Sequence, residues 1–282
     1  MVIKMHRIDL EKYNINCDLI GDINNNSIKV SKTDYKGIKI EKVIVNKTLS
    51  KKINKKEGQY ISIIFDDNTD KEVSSIIKEA LIKELTKILK EKKLLGKASL
   101  VVGLGNNMST PDSLGPKTID KVIVTRHLQI LQNLDSNYSC VSKIAPGVFS
   151  TTGIESYDII KSISNMIKPN FIIIIDALCS TSINKVNKVI QITDSGITPG
   201  SGVENHRKEI SKKSLGIDII TIGIPTVVNL HTIVKEFLDE YDVDDILKKK
   251  GNNYMVTPKN IDFEIEQLSY ILSNAINNTL HK

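Results

Sequence analysis

The spacing of apolar residues divides the chain into two regions of different character. In the first region, residues 38–45 and 60–65 are short stretches rich in isoleucine, valine and aromatic residues, which predicts two strands. From 70 to 93 the apolar residues instead recur every three or four positions, which predicts an amphipathic helix that ends before Gly96. Residues 1–25 are polar and rich in asparagine, and we expect them to form an extension outside the core.

After Gly96, short apolar runs alternate with segments of helical periodicity. The run 171–175, a phenylalanine followed by four isoleucines, has the composition of a strand that is buried on both faces. Strands that alternate with helices predict an α/β fold with a mostly parallel sheet flanked by helices, here preceded by an N-terminal β/α extension. The predicted strands of this second region are 99–104, 141–145, 171–175, 189–192 and 217–222, and the predicted helices are 117–134, 151–167, 226–241 and 261–278.

Composition narrows the class of protein. The 282 residues include 39 Lys and Arg against 33 Asp and Glu, a formal net charge of +6, and 40% of the residues are hydrophobic, which is typical of a globular chain. No apolar run reaches the ~20 residues of a membrane-spanning helix. The first residues lack the apolar segment of a secretory signal, so we expect neither membrane insertion nor export. Aromatic residues are only 5% and the lysines lie in short scattered groups, so we expect no direct nucleic-acid binding.

The cysteines and histidines give no metal or disulfide motif. Cys17, Cys140 and Cys179 are odd in number and widely spaced, which fits neither a closed disulfide framework nor a zinc site. The five histidines are scattered without a metal-binding spacing. We therefore expect a reducing, cytosol-like compartment.

Two acidic residues follow predicted strands of the second region. Asp112 lies in the loop after the strand 99–104, and Asp176 directly follows the isoleucine run. Functional sites of open α/β sheets lie at the carboxyl ends of the strands. A carboxylate beside a buried strand is costly to desolvate unless it has partners. We therefore take Asp112 and Asp176 as candidate site residues, with a turn or helix-capping role as the structural alternative.

Other motifs near these acids are weaker. Gly103 and Gly105 begin like a dinucleotide fingerprint, but Met108 stands where the third glycine is required. Ser201 is not in a nucleophile elbow, and the glycine-rich turn around it fits an anion cradle and a tight structural turn equally. Cys179 has no histidine beside it in the sequence, so we expect a small buried residue rather than a nucleophile.

A series of ordered peptides across residues 96–235 resembles the spore germination protease family, the endopeptidases of spore-forming bacteria. The N-terminal third and the C-terminal tail match this family only weakly. The peptides that carry the resemblance are VVGLGN at 101–106, TPDSLGP at 110–116, VTRHL at 124–128, APGV at 145–148, TGIE at 152–155, IDAL at 175–178, VN at 186–187, IQI at 190–192, DSGI at 194–197, PGSGV at 199–203 and IGIPTVV at 222–228.

The resemblance implies an atypical aspartic endopeptidase that initiates degradation of small acid-soluble spore proteins during germination, in the cytoplasm of the spore core. It also implies a zymogen that processes itself, a homotetramer, no cofactor, and an α/β core similar to that of the hydrogenase-maturation peptidases. The family's two proposed catalytic aspartates fall on Asp112 and Asp176. Asp18 and Leu19 resemble its processing site, an acidic residue followed by an apolar one. The expected division of the chain is a propeptide at 1–18, an N-terminal β/α region at 19–95 and a catalytic core with C-terminal helices at 96–282.

The chemistry expected from such a pair is hydrolysis of a peptide bond by water. Two neighbouring carboxyls share a proton, so one activates the water and the other protonates the substrate. We expect backbone N–H groups of the loop that contains Gly105, Asn106 and Thr110 to stabilise the oxyanion. Two alternatives stay open. One is a metal-dependent peptidase that uses the same carboxylates, with His231 as a possible third ligand. The other is a non-catalytic homologue that binds spore proteins, which the unusual loop at 107–109 suggests.

Overall fold

The computed structural model describes residues 30–53, 55–132, 135, 137–200, 207–238 and 254–281. Several of the sequence-based predictions therefore lie outside the described residues. They are the polar extension at 1–25, the propeptide at 1–18 with its processing site Asp18 and Leu19, and Ser201.

The described strands pair into one mixed sheet that runs through the molecule. Their bounds are Val30–Tyr35 (β1), Ile38–Val45 (β2), Gly58–Ile64 (β3), Ser99–Gly103 (β4), Val141–Ile144 (β5), Phe171–Ser180 (β6), Val189–Thr193 (β7), Asp218–Asn229 (β8) and Met255–Val256 (β9). The spatial order is β1-β2-β3-β7-β8-β6-β4-β5, and β9 pairs with the end of β8.

The parallel part of the sheet is its centre and one end. The strands β8, β6, β4 and β5 are mutually parallel neighbours, whereas β1, β2, β3 and β7 pair antiparallel and continue the sheet on the other side. The four isoleucines at 172–175 in β6 are fully buried, as the composition of this run predicts for a strand covered on both faces. The predicted α/β fold is confirmed, and the predicted strand at 189–192 is present but antiparallel to its neighbours.

Helices cover both faces of the sheet. Their bounds are Lys47–Ile53 (α1), Lys71–Glu91 (α2), Leu114–Asp120 (α3), Arg126–Ile130 (α4), Phe149–Thr152 (α5), Ser156–Ile167 (α6), Lys212–Leu215 (α7), Leu230–Phe237 (α8) and Ile261–Leu280 (α9). The helices α2, α3 and α9 pack on one face, and α6 packs on the other. Within the described residues, no helix combines the length and the apolar character needed to cross a membrane.

The N-terminal strands are joined to the core by the pairing of β3 with β7. In that pairing Tyr60 lies opposite Thr193. Just beyond it, the Asp194 carboxylate accepts a hydrogen bond of 2.8 Å from the Gln59 N–H and forms an ion pair of 2.7 Å with Lys92, at the end of α2. These contacts bring the N-terminal region close to the sheet edge at which β6 and β8 end.

The helix predicted at 117–134 is instead two short helices, α3 and α4. Between them the chain is drawn toward β5 by Thr125. Its backbone N–H donates to the Val141 carbonyl at 3.0 Å, and its hydroxyl oxygen accepts from the Val141 N–H at 2.9 Å. These bonds to the first residue of β5 replace the hydrogen bonds that a continuous helix would make, so tertiary contacts override the periodicity here.

The helix predicted at 151–167 is also divided. Gly153 adopts a left-handed conformation, with a φ of +70°, and ends α5 by donating to the Phe149 carbonyl at 2.8 Å. The helix α6 then begins at Ser156. Glycine is the residue that most readily takes this backbone conformation, so Gly153 acts as a helix stop.

The strand β8 is longer than predicted and removes the first turn of the helix predicted at 226–241. Residues 226–229 continue the strand, which fits the β-branched residues at 226–228. Asn229 then caps α8, because its side chain accepts a hydrogen bond of 2.8 Å from the His231 N–H. The strand β6 extends in parallel with β8 as far as Ser180.

Candidate active site

The loop after β4 carries Asp112 and folds back on itself. Gly105 has a φ of +117°, and a Cβ atom at this position would collide with the Asp112 carbonyl oxygen. The Asn106 N–H donates to the Asp112 carboxylate at 2.8 Å and to the Asp112 carbonyl at 3.0 Å. The local sequence therefore fixes the carboxyl of Asp112 through one residue without a side chain and one backbone donor.

Asp176 occupies a different kind of position, inside a strand. The ladder between β4 and β6 ends where Gly103 pairs with Ile175, so Asp176 is the first residue of β6 beyond β4. On its other side Asp176 lies opposite Gly223 of β8. The apolar run predicts that Asp176 follows the end of its strand. In the structure β6 continues past Asp176, and it is the neighbouring strand β4 that ends there.

The two aspartates line the same cavity, which has a volume of about 780 Å³ and lies at the edge of the sheet where β4 ends. Asp176 is 6% exposed, and Asp112 is partly buried. The cavity is also lined by residues from β6, β8 and the loops around them, among them Gly105, Asn106, Ala177, Leu178, Cys179, Ser195, Gly196, Ile197, Thr226 and Val227.

Burial gives the two carboxyls unusual proton affinities. It raises the pKa of Asp112 to about 6, although the hydrogen bond from the Asn106 N–H acts in the opposite direction. Burial raises the pKa of Asp176 well above its usual range, the negative charge of Asp112 raises it further, and the Ala177 N–H opposes both effects. Asp112 is therefore largely ionised at neutral pH, and Asp176, beside its charge, holds a proton more tightly than an ordinary aspartate does.

Basic side chains stand at the rim of the cavity opposite acidic partners. Lys56 pairs with Glu209 at 3.2 Å, Arg207 with Glu155 at 3.2 Å, and Lys208 with Asp158 at 2.8 Å. The Arg207 guanidinium also lies 4.9 Å from the centre of the Phe149 ring. The rim thus combines three ion pairs with an exposed aromatic ring.

Only part of the predicted substrate loop lines the cavity. Gly105 and Asn106 line the cavity, whereas Thr110 is not among its lining residues. The Asn106 N–H, which we expected to face an oxyanion, is already bonded to Asp112. Its action is therefore on the carboxylate, because one backbone hydrogen cannot serve both groups well.

Several cavity residues were missed by the sequence analysis. Lys55, Lys56 and Tyr60 come from the N-terminal region, and Arg207 and Lys208 come from the segment before α7. The sequence shows Lys55 and Lys56 only as one of several lysine pairs. Their approach to the aspartates depends on the pairing of β3 with β7, which no local pattern encodes.

The described residues do not supply a metal site around the aspartates. No group of three or more His, Cys, Asp or Glu side chains in the described part of the chain is arranged to hold an ion. His231, the expected third ligand, lies at the start of α8 and is not among the residues that line the cavity. We therefore derive no catalytic step through a metal.

Comparison with known proteins identifies relatives along most of the chain. The model of the germination protease family matches residues 10–242. The germination protease of Geobacillus sp. (strain WCH70) is 36% identical, over 87% of this chain and 83% of its own. The germination protease of Bacillus subtilis (strain 168) is 36% identical, over 88% and 85%, and that of Priestia megaterium (strain ATCC 12872 / QMB1551) is 34% identical, over 97% and 95%.

A solved structure gives a weaker similarity. The crystal structure of the NiFe hydrogenase maturation protease HycI from Thermococcus kodakarensis KOD1 covers 64% of this chain and 94% of its own, at 16% identity and a TM-score of 0.36. That score is too low to support an argument about this chain. The family match and the curated relatives are sufficient: this chain belongs to the germination protease family.

Proposed function

We propose that this protein is an endopeptidase that initiates the degradation of small acid-soluble spore proteins during germination, and that Asp112 and Asp176 activate the water. The observation that carries the proposal is that both carboxyls line one cavity and that the charge of Asp112 raises the pKa of Asp176. Family membership supports the reaction class, hydrolysis of a peptide bond in a protein substrate.

The different environments of the two aspartates suggest different roles. Asp112, with a pKa of about 6, is ionised at neutral pH and can take a proton from the attacking water. Asp176, whose pKa burial and the Asp112 charge raise well above its usual range, would hold the shared proton and donate it to the carbonyl oxygen or the leaving amine. The water attacks the carbonyl carbon, the C–N bond breaks, and the net result is one water consumed per peptide bond.

The edge of β6 suggests how an extended substrate would lie. Beyond Ile175 the strand no longer pairs with β4, and Asp176 to Cys179 line the cavity instead. A peptide that follows this edge in an extended conformation would pass its backbone in front of Asp176. Small acid-soluble spore proteins, expected to be flexible when free of DNA, would supply such a segment.

Regulation by a propeptide is part of the proposal. Residues 1–18 would occupy or distort the cavity in a zymogen, and cleavage between Asp18 and Leu19 would release the mature enzyme, with residues 19–95 and 96–282 as its N-terminal region and catalytic core. Lys56, Arg207 and Lys208 of the rim would bind an acidic residue before the scissile bond by exchanging their present ion-pair partners for it. A variant that lacks residues 1–18 should cleave substrate without processing. An inactive variant with an intact fold would contradict this part of the proposal.

Family membership also suggests an oligomeric state and a location in the cell. We propose a homotetramer in the cytoplasm of the spore core, acting on spore proteins without binding nucleic acid or membrane itself. Sedimentation of the purified chain tests the tetramer, since a monomer at micromolar concentration would contradict it.

The test of the aspartate pair is substitution of each member. Asp112→Asn and Asp176→Asn should each reduce cleavage of purified spore protein by about 10²–10⁴-fold, because each removes a proton-transfer group. Asp120→Asn, at an exposed position at the end of α3, is the matched control and should cleave normally. Near-normal cleavage by either of the first two variants would overturn the assignment.

The metal-dependent and non-catalytic alternatives have their own tests. Full activity after prolonged treatment with a strong chelator would eliminate a required metal, and activity lost to the chelator and restored by a divalent ion would favour one. Turnover of purified spore protein by the wild-type chain would eliminate a function limited to binding.

A further inference from the structure

A β-bulge in β8 borders the cavity. Along the pair of strands β6 and β8, Leu178 lies opposite Pro225, but the next residue, Cys179, lies opposite Val227. Thr226 is therefore the extra residue, without a Cα partner on β6. Bulges redirect side chains and are common next to active sites, so the position of this one is informative.

The backbone on both sides of the bulge is held in place. The Pro225 carbonyl accepts a hydrogen bond of 2.8 Å from the Asn187 N–H. The Thr226 carbonyl accepts one of 2.8 Å from the hydroxyl of Thr257. Pro225 has no N–H to offer to a strand ladder, which is why proline is tolerated at such an irregularity. The bulge is thus a fixed part of the cavity wall.

The backbone carbonyl of Thr226 accepts a hydrogen bond, whereas its side-chain hydroxyl makes none to the described residues. Thr226 is 1% exposed and lines the cavity that contains Asp112 and Asp176. Its hydroxyl oxygen is buried and has no hydrogen-bond partner among the described residues. A buried hydroxyl without a partner is destabilising, and valine would fill almost the same volume without that penalty.

Thr221, five residues earlier on β8, provides an internal comparison. It is fully buried, and its hydroxyl oxygen also has no partner among the described residues. Thr221 lies between Ile174 of β6 and Thr193 of β7, in the interior of the sheet, and is not one of the cavity-lining residues. Both threonines lie on β8, and neither hydroxyl has a hydrogen-bond partner among the described residues. Only Thr226 lines the cavity.

We propose that the Thr226 hydroxyl is a substrate-binding donor of this cavity. When an extended peptide is bound, rotation about χ1 of Thr226 brings the hydroxyl to the cavity wall, where it donates a hydrogen bond to a backbone carbonyl of the peptide. The bulge makes this possible because it places a polar residue where regular pairing with β6 is interrupted. This inference rests on the proposed peptidase function and adds a binding residue to it.

The experiment compares Thr226→Val, Thr226→Ser and Thr221→Val in the full chain. The readouts are kcat/KM for cleavage of purified spore protein, and the affinity of an uncleaved spore-protein peptide measured in the Asp176→Asn background. Thr226→Val should lower kcat/KM and weaken peptide binding, each by about tenfold, since the carbonyl loses its donor. Thr226→Ser, which keeps the hydroxyl, should restore most of both. Thr221→Val should match wild type, and both valine variants should keep or raise the melting temperature.

The outcomes separate this inference from the function on which it rests. If wild type cleaves spore protein but Thr226→Val cleaves and binds as well as wild type, the role of Thr226 is refuted and the peptidase proposal stands. The same holds if Thr226→Ser is as defective as Thr226→Val, because loss of the hydroxyl would then not be the cause. If wild type does not cleave spore protein, the proposed function and this inference both fail.

Discussion

The two aspartates are presented by regions of opposite construction. Asp112 sits in a folded loop, where Gly105 permits a close backbone approach and the Asn106 N–H bonds the carboxylate. Asp176 sits in a strand between the end of β4 and the bulged strand β8, and it is more deeply buried. The loop leaves its carboxyl partly exposed, with a pKa raised to about 6, while burial and the Asp112 charge raise the pKa of Asp176 well above its usual range. Position alone thus gives two residues of the same type different proton affinities.

Activity should be sensitive to substitutions in the loop that carries Asp112, because its backbone is closely packed. Gly105→Ala introduces a Cβ that collides with the Asp112 carbonyl, at a φ of +117° that L-residues rarely adopt. We expect activity on spore protein to fall by at least about 100-fold, because the carboxylate loses its position. The measurement is kcat/KM at neutral pH, with circular dichroism to verify folding.

The matched control for that substitution is another glycine with a positive φ. Gly96 has a φ of +77°, and a Cβ there would meet no atom within 4 Å. Gly96→Ala should therefore destabilise the fold by only about 1 kcal/mol, from backbone strain, and leave kcat/KM unchanged. Equal losses of activity in Gly105→Ala and Gly96→Ala would show that the collision with the Asp112 carbonyl is not the cause of the loss.

The raised pKa of Asp112 predicts that its ionised carboxylate destabilises the folded protein at neutral pH. A pKa raised to about 6 means that folding favours the protonated carboxyl, so this contribution to stability is present below the unfolded pKa near 4 and is lost as the pH rises through 6. Asp112→Asn should then stabilise the protein at neutral pH by up to about 3 kcal/mol. Denaturant unfolding at pH 7 and pH 4 measures the free energy of unfolding of both proteins, and Asp112→Asn should raise it only at pH 7.

A gain of equal size at both pH values would mean that the substitution acts through packing rather than charge. The exposed Asp120→Asn serves again as the control and should change stability by less than about 0.5 kcal/mol at either pH.

The acidic side of the pH profile of kcat/KM should follow the ionisation of Asp112, the carboxyl in the loop. If Asp112 is the base, kcat/KM should rise about tenfold per pH unit below pH 6 and then level off, because only the ionised carboxylate accepts a proton from water. The decline at high pH should follow ionisation of Asp176. A profile that is flat from pH 4.5 to 7 would exclude the assigned base.

Much of the central architecture could be predicted from the sequence, for physical reasons. The isoleucines at 172–175 have the composition of a doubly buried strand, and the acid directly after them marks the sheet edge where β4 ends and the cavity lies. The family resemblance pointed to Asp112 and Asp176 independently.

What could not be predicted depends on contacts between distant segments. The bonds of Thr125 to Val141 divide a periodic segment into two helices, and the bulge at Thr226 arises from the pairing of two strands. The approach of Lys55 and Arg207 to the same cavity likewise depends on how β3 and the segment before α7 are placed by the sheet. Only the bulge leaves a local signal in the sequence, Pro225 within a β-branched run, and this proline does not say which strand lies beside it.

The most direct test of the coupling between the two aspartates is a carboxyl titration by ¹³C NMR, with Asp176 followed in the wild type and in Asp112→Asn. The negative charge of Asp112 contributes to the raised pKa of Asp176, so its removal should lower the pKa of Asp176, while burial keeps it above the usual range. An Asp176 pKa that is the same in both proteins would show that the two carboxyls do not interact and would contradict the shared site.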